Sequence, residues 1–510
     1  MTLPDEGRYV GVALEMLRSG DWLVPTLDGL PFFHKPPLFY WLTAASLDVG
    51  GTHLLASRAA PLLSSFAMLG FIAWFASRRL GPHVAAWTVL MLSTMPFFVG
   101  ASQFANLDLL VAACITGAIV FMADSLLNDP RARNARHTMA AGWLMVALGV
   151  LAKGLIGIVL PLAVVGAWSL QRRVSLRHWL DDVRRAFVGI GPLLALGIAL
   201  PWFLMVERRH PGFLHYFIVE QPLQRYTSTG FNNPQPFWFF APVIAGLTLP
   251  WFLFVGRGPA CDEGRAERTL AGWWIGVTVL FFSWPRSKLA GYVLPVLPPL
   301  ALLLASRALQ VREAWLHDGR RRLGLLAAAA AACVGRAATT GWWQSGRNHQ
   351  AIAEVLDHMA PPGEPVFALD IQPYDLAFHS RVARPTLLVS AWDSASLDRH
   401  DDWRKELADA ARFAPEHAAE VLLSRDQAMR RWCSQAASWV IAPHDAQARE
   451  PALYGVKPLA LTKRDGLWRL DRRHLRTQGL CAEPFERPVA GQEGEASRPG
   501  RGSGDATAPR

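Results

Sequence analysis

Long apolar segments separated by short polar loops constrain this chain more than any other feature. A membrane-spanning helix needs about 20 predominantly apolar residues. The 510 residues are 51% hydrophobic and only 18% charged, with 21 Trp, a composition that favours a polytopic membrane protein over a soluble enzyme. We therefore predict an α-helical polytopic membrane protein. Ten candidate spans lie at 59–77, 84–103, 107–126, 139–152, 154–170, 187–206, 237–256, 270–284, 289–306 and 323–341.

The loops between these segments alternate in charge, which predicts their orientation. Loops rich in arginine are expected on the cytoplasmic side of a membrane. The opposite loops, which carry Lys35, Asp108, Lys153 and Lys288, are then expected outside. The formal charge of +10 is explained by this topology, so a nucleic-acid partner is excluded. The arginine-rich loops hold Arg78 and Arg79, Arg131 to Arg136, Arg172 to Arg185, Arg257 to Arg268, and Arg307 to Arg322.

Composition divides the chain into four parts. The first is an outer loop, in which residues 5–20 have the spacing of an amphipathic helix on a membrane surface that ends at Gly20. Pro36 and Pro37 are expected to open a second, short helix. Residues 484–510 are almost free of apolar side chains, which predicts disorder. The four parts are 1–58 (first outer loop), 59–341 (membrane bundle), 345–483 (a small extracytoplasmic α/β domain) and 484–510 (tail).

Two adjacent carboxylates, Asp5 and Glu6, open the first helix. Acidic residues in a first helical turn cap the helix and suit its dipole. The functional interpretation is that one carboxylate faces an active cavity as a base, or binds a metal or an amine. Asp108 has the same two interpretations, because it stands where a predicted span begins. An ionisable residue beside the membrane is a functional candidate by default.

Several cations are expected on the same outer face. Lys35 is held by Pro36 and Pro37 between aromatic residues, which favours phosphate binding over a lysine that merely reaches water. Arg225 offers a planar donor fork for phosphate oxygens, although it could also pair with Glu220. Lys288 and the phenol of Tyr292 add a further cation and donor, whereas Lys153 occupies a turn between two spans.

The five cysteines show no spacing typical of metal ligands. Cys114 and Cys333 lie in apolar runs, whereas Cys433 and Cys481 fall in the same non-membrane compartment. The sequence leaves a disulfide between these two residues open.

The motifs together resemble the family of lipid-carrier-dependent glycosyltransferases that includes the protein O-mannosyltransferases. The resemblance covers about residues 4–310 and is similar to the branch that transfers 4-amino-4-deoxy-L-arabinose to lipid A. The motifs, in the family's order, are Asp5-Glu6-Gly7-Arg8-Tyr9, Gly20-Asp21-Trp22, Lys35-Pro36-Pro37-Leu38-Phe39-Tyr40-Trp41, Asn106-Leu107-Asp108, Lys153-Gly154, Glu220 with Arg225-Tyr226, and Ser287-Lys288-Leu289 with Tyr292.

The resemblance implies a GT-C fold and a glycosyltransferase whose donor is a sugar on undecaprenyl phosphate. Its acceptor would be lipid A, a glycan or a protein, and its place the bacterial inner membrane. Asp5 would be the catalytic carboxylate, with Glu6 and Asp108 beside it. The residues implied in substrate or phosphate binding are Arg8, Lys35, Lys153, Arg225, Lys288 and Tyr292.

Three departures from the family pattern leave alternatives open. His34 stands where the aminoarabinose enzymes commonly carry Glu, and Gln221 stands where they typically carry His. Both bear on the identity of the sugar and on a bound divalent metal, for which His34 is a weak candidate. The family's membrane helix before Asp5 is also missing here. The alternatives are therefore a transporter or flippase for a lipid-linked sugar, and an N-terminally truncated, inactive homologue.

Overall fold

The computed structural model describes residues 1, 3–173, 175–221, 234–254, 264–310, 323–324, 327–331, 333–335, 346–392, 397 and 402–481. The predicted tail 484–510 and part of the predicted span 323–341 lie outside these residues. A helical bundle forms the first part of the fold, and a mixed α/β domain forms the second.

The bundle contains helices of very different lengths. Its elements are α1 (Asp5–Ser19), α2 (Leu38–Gly50), α3 (Leu54–Ser57), α4 (Ala59–Leu80), α5 (Pro82–Ser93), α6 (Pro96–Ser102), α7 (Asp108–Leu127), α8 (Arg133–Lys153), α9 (Ile156–Arg172), α10 (Leu176–Phe187), α11 (Ile190–Arg209), α12 (Phe213–His215), a π-helical turn Tyr216–Glu220, helices Phe240–Leu247, Arg265–Ser283 and Leu297–Gln310, and 3-10 segments Phe237–Phe239, Trp251–Phe254 and Ala290–Val296. A short hairpin of β1 (Thr26–Leu27) and β2 (Leu30–Pro31) follows α1.

Within the described ranges, five helical segments are long and apolar enough to cross a membrane, or six if the bent pair α5–α6 is one span. The sequence predicted ten, so this count is lower than expected. Two of the predicted spans are apolar helices that stay shorter, Ile156–Arg172 and Phe237–Leu247. The pair α5–α6 bends by 68° where Pro96 opens the second helix, because proline interrupts the hydrogen bonding of a continuous helix.

Helix α7 lies at the centre of the bundle and links its two ends. Nearly all of α7 is buried, and it packs against α4, α8 and α9. At its C-terminal end the buried Asp124 pairs with Arg78 and Arg79. At its N-terminal end Asp108 pairs with Lys153. Arg78 and Arg79, from a predicted cytoplasmic loop, and the candidate site residues Asp108 and Lys153 therefore lie at opposite ends of α7, as the charge pattern predicts.

Helix α1 is buried, contrary to the prediction that it lies on a membrane surface. It ends where the sequence predicts, at Gly20, whose positive φ of 70° suits a glycine. Around its circumference it packs against α2, β1 and the short helix Leu376–His379 of the C-terminal domain. A Cβ on Gly7 would lie 2.9 Å from Cβ of Tyr374, so only glycine allows this close approach. The amphipathic spacing of α1 reflects contacts with protein on more than one side.

The C-terminal domain is a six-stranded sheet flanked by helices, in agreement with the predicted α/β class. The strand order is β5-β4-β3-β6-β8-β7; β3, β4, β5 and β6 are parallel, and β8 is antiparallel to both β6 and β7. The strands are β3 (Val366–Leu369), β4 (Thr386–Val389), β5 (Leu422–Leu423), β6 (Ala437–Pro443), β7 (Ala460–Leu461) and β8 (Asp465–Asp471), and the helices are Gln350–Met359, Leu376–His379, Trp403–Ala411, Pro415–Val421, Arg425–Ser434, Ala446–Arg449 and Arg472–Thr477.

A disulfide joins Cys433 to Cys481, which settles the question that the sequence left open. The bond ties helix Arg425–Ser434 to the chain that follows Arg472–Thr477. Two core residues of this domain, Tyr374 and Phe378, also belong to the main core of the bundle. The domain is thus packed directly against the end of the bundle that carries the candidate site.

Candidate active site

Arg8 connects two carboxylates through its guanidinium group. Its Nη2 donates to Oδ1 of Asp5 at 2.7 Å, and its Nη1 donates to Oε1 of Glu406 at 2.5 Å. The first pair lies one helical turn apart on α1, which places both side chains on one face. Glu406 comes from the distant helix Trp403–Ala411. The side chain of Asp5 remains 42% exposed, so its carboxylate is open to a ligand.

The electrostatic environment of Asp5 favours a carboxylate that holds its proton more readily than usual. Burial raises its pKa, the charge of Arg8 lowers it, and the negative charges of Asp108 and Glu406 raise it again, with a net upward shift. A carboxylate that is both accessible and raised in pKa is a candidate general base.

Glu6 points away from Asp5 and is held in the protein interior. Its two carboxylate oxygens accept from Nε and Nη2 of Arg58, both at 2.8 Å. Oε1 also accepts from the backbone N–H of Ala105 at 2.8 Å. The side chain of Glu6 is only 1% exposed, and these contacts favour a structural role. The sequence analysis had instead placed Glu6 beside Asp5 as a catalytic residue.

Asp108, Lys153 and Tyr292 come together from three separate segments. The ammonium group of Lys153, at the end of α8, forms an ion pair with Oδ1 of Asp108, at the start of α7. The same ammonium lies 4.9 Å from the ring centroid of Tyr292. The neighbouring Gly291 allows this arrangement, because a Cβ there would lie 2.4 Å from Oδ2 of Asp108. Asp108 and Tyr292 thus hold the cation of Lys153 in place.

Lys35 and His34 occupy a neighbouring part of the same surface. Nζ of Lys35 donates to the backbone oxygen of His34 at 2.9 Å. Nε2 of His34 lies 3.3 Å from the hydroxyl of Tyr216, which in turn donates to Oδ2 of Asp409 at 3.4 Å. Gln221 donates to the same hydroxyl at 3.4 Å. The two positions that depart from the family pattern, His34 and Gln221, therefore meet at one tyrosine.

Lys288 differs from the other predicted cations. Its Nζ donates to the backbone oxygens of Gln235 at 2.9 Å and Pro285 at 2.6 Å, and the residue is only 3% exposed. Burial lowers the pKa of this ammonium group. These contacts indicate a lysine that holds two loops together. Arg225, the remaining predicted phosphate ligand, lies outside the described residues.

The arrangement of side chains does not favour a metal centre. In the part of the chain that the structure describes, no three His, Cys, Asp or Glu side chains gather in a way that could hold a metal ion. His34 is engaged with an aromatic neighbour, Phe32, at 5.1 Å between ring centroids, and with Tyr216.

Sequence reasoning missed four side chains that shape the site: Glu406, Asp409, Tyr216 and Arg58. Glu406 and Asp409 lie on a C-terminal helix whose charged residues have the pattern of an ordinary solvated face. Tyr216 lies four residues before Glu220, the first motif residue on its loop, and nine before Arg225. Arg58 opens a predicted span, where a basic residue is commonplace. No signal in the sequence pointed to these residues.

The chain is similar to several known proteins. Residues 4–217 match the family model described as dolichyl-phosphate-mannose-protein mannosyltransferase. Undecaprenyl phosphate-alpha-4-amino-4-deoxy-L-arabinose arabinosyl transferase 1 of Sodalis glossinidius is 34% identical over 314 residues, which are 59% of this chain and 54% of that protein. The arabinosyl transferase of Pseudomonas aeruginosa strain LESB58 is 31% identical over 320 residues, 60% of this chain and 56% of that protein. The chain thus spans about half the length of these relatives.

A solved structure matches a larger share of the chain. It is the crystal structure of ArnT from Cupriavidus metallidurans bound to undecaprenyl phosphate, with a TM-score of 0.76 and 25% identity. The match covers 91% of this chain and 93% of that one. The similarity therefore extends over both the helical bundle and the C-terminal domain.

Proposed function

We propose that the chain belongs to the GT-C family of lipid-carrier-dependent glycosyltransferases and that it transfers a sugar from undecaprenyl phosphate to lipid A or another envelope acceptor. One observation carries this proposal. Asp5 with Arg8, and Asp108 with Lys153 and Tyr292, come from distant segments of the chain, yet their charges interact at one end of the bundle. An open carboxylate beside a fixed cation is what transfer from a lipid phosphate requires.

The chemistry assigns separate tasks to these groups. The bond between the anomeric carbon and the phosphate oxygen breaks, and undecaprenyl phosphate leaves with the electron pair. The negative charge on that phosphate is stabilised by fixed cations in a site with little water, for which Lys153, Lys35 and the undescribed Arg225 are the proposed residues. The acceptor oxygen forms the new bond to the anomeric carbon. Arg8 orients Asp5 for its part in this step.

The part of Asp5 depends on the acceptor. A hydroxyl acceptor has to lose a proton, and Asp5 would take it as general base. A phosphate on lipid A is already anionic and nucleophilic, so Asp5 would then orient a hydroxyl or amine of the substrates. The names of the similar proteins, which concern 4-amino-4-deoxy-L-arabinose, support this sugar as the first donor to test.

The protein is a multi-pass membrane protein of the inner membrane, and we infer that its site and C-terminal domain face the periplasm. Two independent observations support this orientation. Arg78, Arg79, Arg172 and Arg185 contact the C-terminal end of α7, opposite the site, and the positive-inside rule assigns such an arginine-rich end to the cytoplasm. The disulfide between Cys433 and Cys481 suits an oxidising compartment such as the periplasm.

A reconstituted assay tests the function. The purified full chain in detergent is given undecaprenyl phosphate-linked 4-amino-4-deoxy-L-arabinose, labelled in the sugar, and lipid A. We expect labelled lipid A from the wild type and none from Asp5→Asn. The matched control is Asp48→Asn, because Asp48 is an exposed carboxylate near the end of α2, and it should retain wild-type activity.

Each other result points to one of the alternatives. Movement of the donor lipid across proteoliposome membranes without labelled product would indicate a transporter or flippase. A folded wild type that gives neither product nor transport would indicate an inactive homologue. Equal activity in Asp5→Asn and wild type would refute the assignment of Asp5 while leaving the transferase activity intact.

A further inference from the structure

The helix Trp403–Ala411 of the C-terminal domain presents one face to the proposed active site. Glu406 accepts from Arg8 at 2.5 Å, and Asp409, one turn later, accepts from the hydroxyl of Tyr216. The ring of Phe413, just beyond the helix, lies 4.9 Å from that of Phe33 and 5.6 Å from that of Tyr216. The helix therefore touches both the Asp5 side and the Lys35 side of the site.

The contact at Glu406 encloses polar atoms that the protein itself leaves unpaired. Nε of Arg8, Oε2 of Glu406 and the hydroxyl of Tyr40 are buried, and no side chain or backbone group in the described ranges completes their hydrogen bonds. Buried polar groups without partners are costly and rare in native proteins. Their concentration beside Asp5 fits a site that is completed by a bound ligand or by water.

We propose that Glu406 is a positioning residue of the transferase, which holds the guanidinium group of Arg8 against Asp5 and so makes the C-terminal domain a part of the active site. The inference rests on the proposed function and deepens it. One amino group of the Arg8 guanidinium bonds to Asp5 and the other bonds to Glu406, so the guanidinium is held at both ends. Without Glu406, the guanidinium, which is 18% exposed, would keep a hydrogen bond only to Asp5 among the described side chains, together with its contact to the ring of Tyr9 at 5.2 Å from the centroid.

Glu406 could act on Asp5 by positioning Arg8 or merely as a nearby charge, and the two interpretations predict opposite shifts in the pKa of Asp5. Facing Asp5 are Arg8 on its own helix, Asp108 at the start of α7 with its partner Lys153, and Glu406. Arg8 affects the pKa of Asp5 more than Glu406 does, and in the opposite direction. If Glu406 positions Arg8, its loss weakens the larger, pKa-lowering interaction. If Glu406 acts only as a nearby charge, its loss removes a pKa-raising interaction.

The pH profile of Glu406→Gln separates these two interpretations. The full chain is assayed with undecaprenyl phosphate-linked 4-amino-4-deoxy-L-arabinose and lipid A across the acid limb of activity. We expect kcat to fall about 100-fold, the order of magnitude for a catalytic group displaced by about 1 Å, and the acid limb to move to higher pH. Glu406→Asp, which keeps the charge, should recover part of the activity. Glu416→Gln on the neighbouring helix is the control, because Glu416 is exposed.

The double variant of Arg8→Gln and Glu406→Gln provides the second measurement. If the two residues act as one unit, the double variant should lose no more activity than Arg8→Gln alone. The inference would be overturned if the double variant lost activity by the product of the two single-variant factors. An unchanged kcat in Glu406→Gln, or an acid limb of that variant that moves to lower pH, would overturn it as well. If Glu406→Gln fails to fold, Glu406→Asp is compared with the wild type instead. Asp keeps the charge but shortens the reach to Arg8, so a positioning role predicts a lower kcat, and a wild-type kcat would overturn the inference.

The two proposals can fail separately. A wild type that forms no labelled lipid A refutes the proposed function and, with it, the positioning role. A wild type that forms product while Glu406→Gln matches it in kcat and in pH profile refutes the positioning role alone.

Discussion

Adding a single methyl group at Gly291 should lower the activity while leaving the stability of the protein nearly unchanged. A Cβ there would lie 2.4 Å from Oδ2 of Asp108, whereas real Cβ contacts essentially never fall below 3.0 Å. The clashing atom is the far end of an Asp side chain that is 16% exposed. In Gly291→Ala the carboxylate has to move by at least about 0.6 Å, which a side-chain rotation can supply without disturbing the helices.

That displacement should lower kcat/KM substantially while changing the unfolding temperature very little. Asp108 would move relative to both Lys153 and Asp5, and a misplacement of about 1 Å typically costs about 100-fold in rate. We expect kcat/KM to fall by 30- to 100-fold, or about 2 to 3 kcal/mol of transition-state stabilisation. The unfolding temperature in detergent should change by only about 2 °C, because the backbone and the core are left in place.

Gly272→Ala is the matched control for this measurement. Gly272 lies within helix Arg265–Ser283, and a Cβ there would meet no atom within 4 Å. Alanine is the better helix former by about 1 kcal/mol, so this variant should keep full activity and be at least as stable as the wild type. Wild-type kcat/KM in Gly291→Ala, or an equal loss in both variants, would refute the placement of Asp108 in the site.

Two further predictions concern stability. Glu6→Gln should destabilise the protein by about 2 kcal/mol in thermal or denaturant unfolding, since it leaves Arg58 without its buried carboxylate partner; a loss of activity with unchanged stability would contradict the structural part given to Glu6. His349 lies in the C-terminal domain; burial lowers its pKa, but two bonded carboxylates, one of them Asp375, outweigh this and raise it to about 9. The stability it contributes is therefore complete below pH 6.5 and is lost as the pH rises towards 9. The unfolding temperature should fall over that window in the wild type and in His358→Gln, an exposed control, but not in His349→Gln.

Much of the fold could be predicted because local patterns determine it. Apolar length identified the helices of the bundle, and alternation of charge identified its two ends. Composition also identified the α/β domain at 345–483, which contains the strands Val366–Leu369 and Thr386–Val389. Among the described residues, fewer segments qualify as continuous spans than the sequence predicted, since apolar composition cannot distinguish a continuous span from a short helix or a bend at Pro96. Proline geometry and tertiary packing decide that difference.

The candidate site was predictable only in part, because side-chain partners depend on tertiary contacts. Asp108, Lys153 and Tyr292 were each named from the sequence, and the structure brings them together. Lys288 was also named, but its ammonium group bonds to loop carbonyls. The contribution of Glu406 could not be anticipated, since it lies 398 residues from Arg8 in sequence. Contacts at such separation leave no trace in a single sequence.

The adjacent carboxylates Asp5 and Glu6 show where sequence reasoning reaches its limit. Successive residues on an α-helix point about 100° apart, so two neighbouring carboxylates cannot share one partner on one side of the helix. α1 packs on several sides at once, and each direction therefore has its own environment. Glu6 faces Arg58 in the interior, whereas Asp5 faces Arg8 and an opening. The same rotation that makes one carboxylate part of the core thus leaves the other available for chemistry, and only the surrounding fold determines which is which.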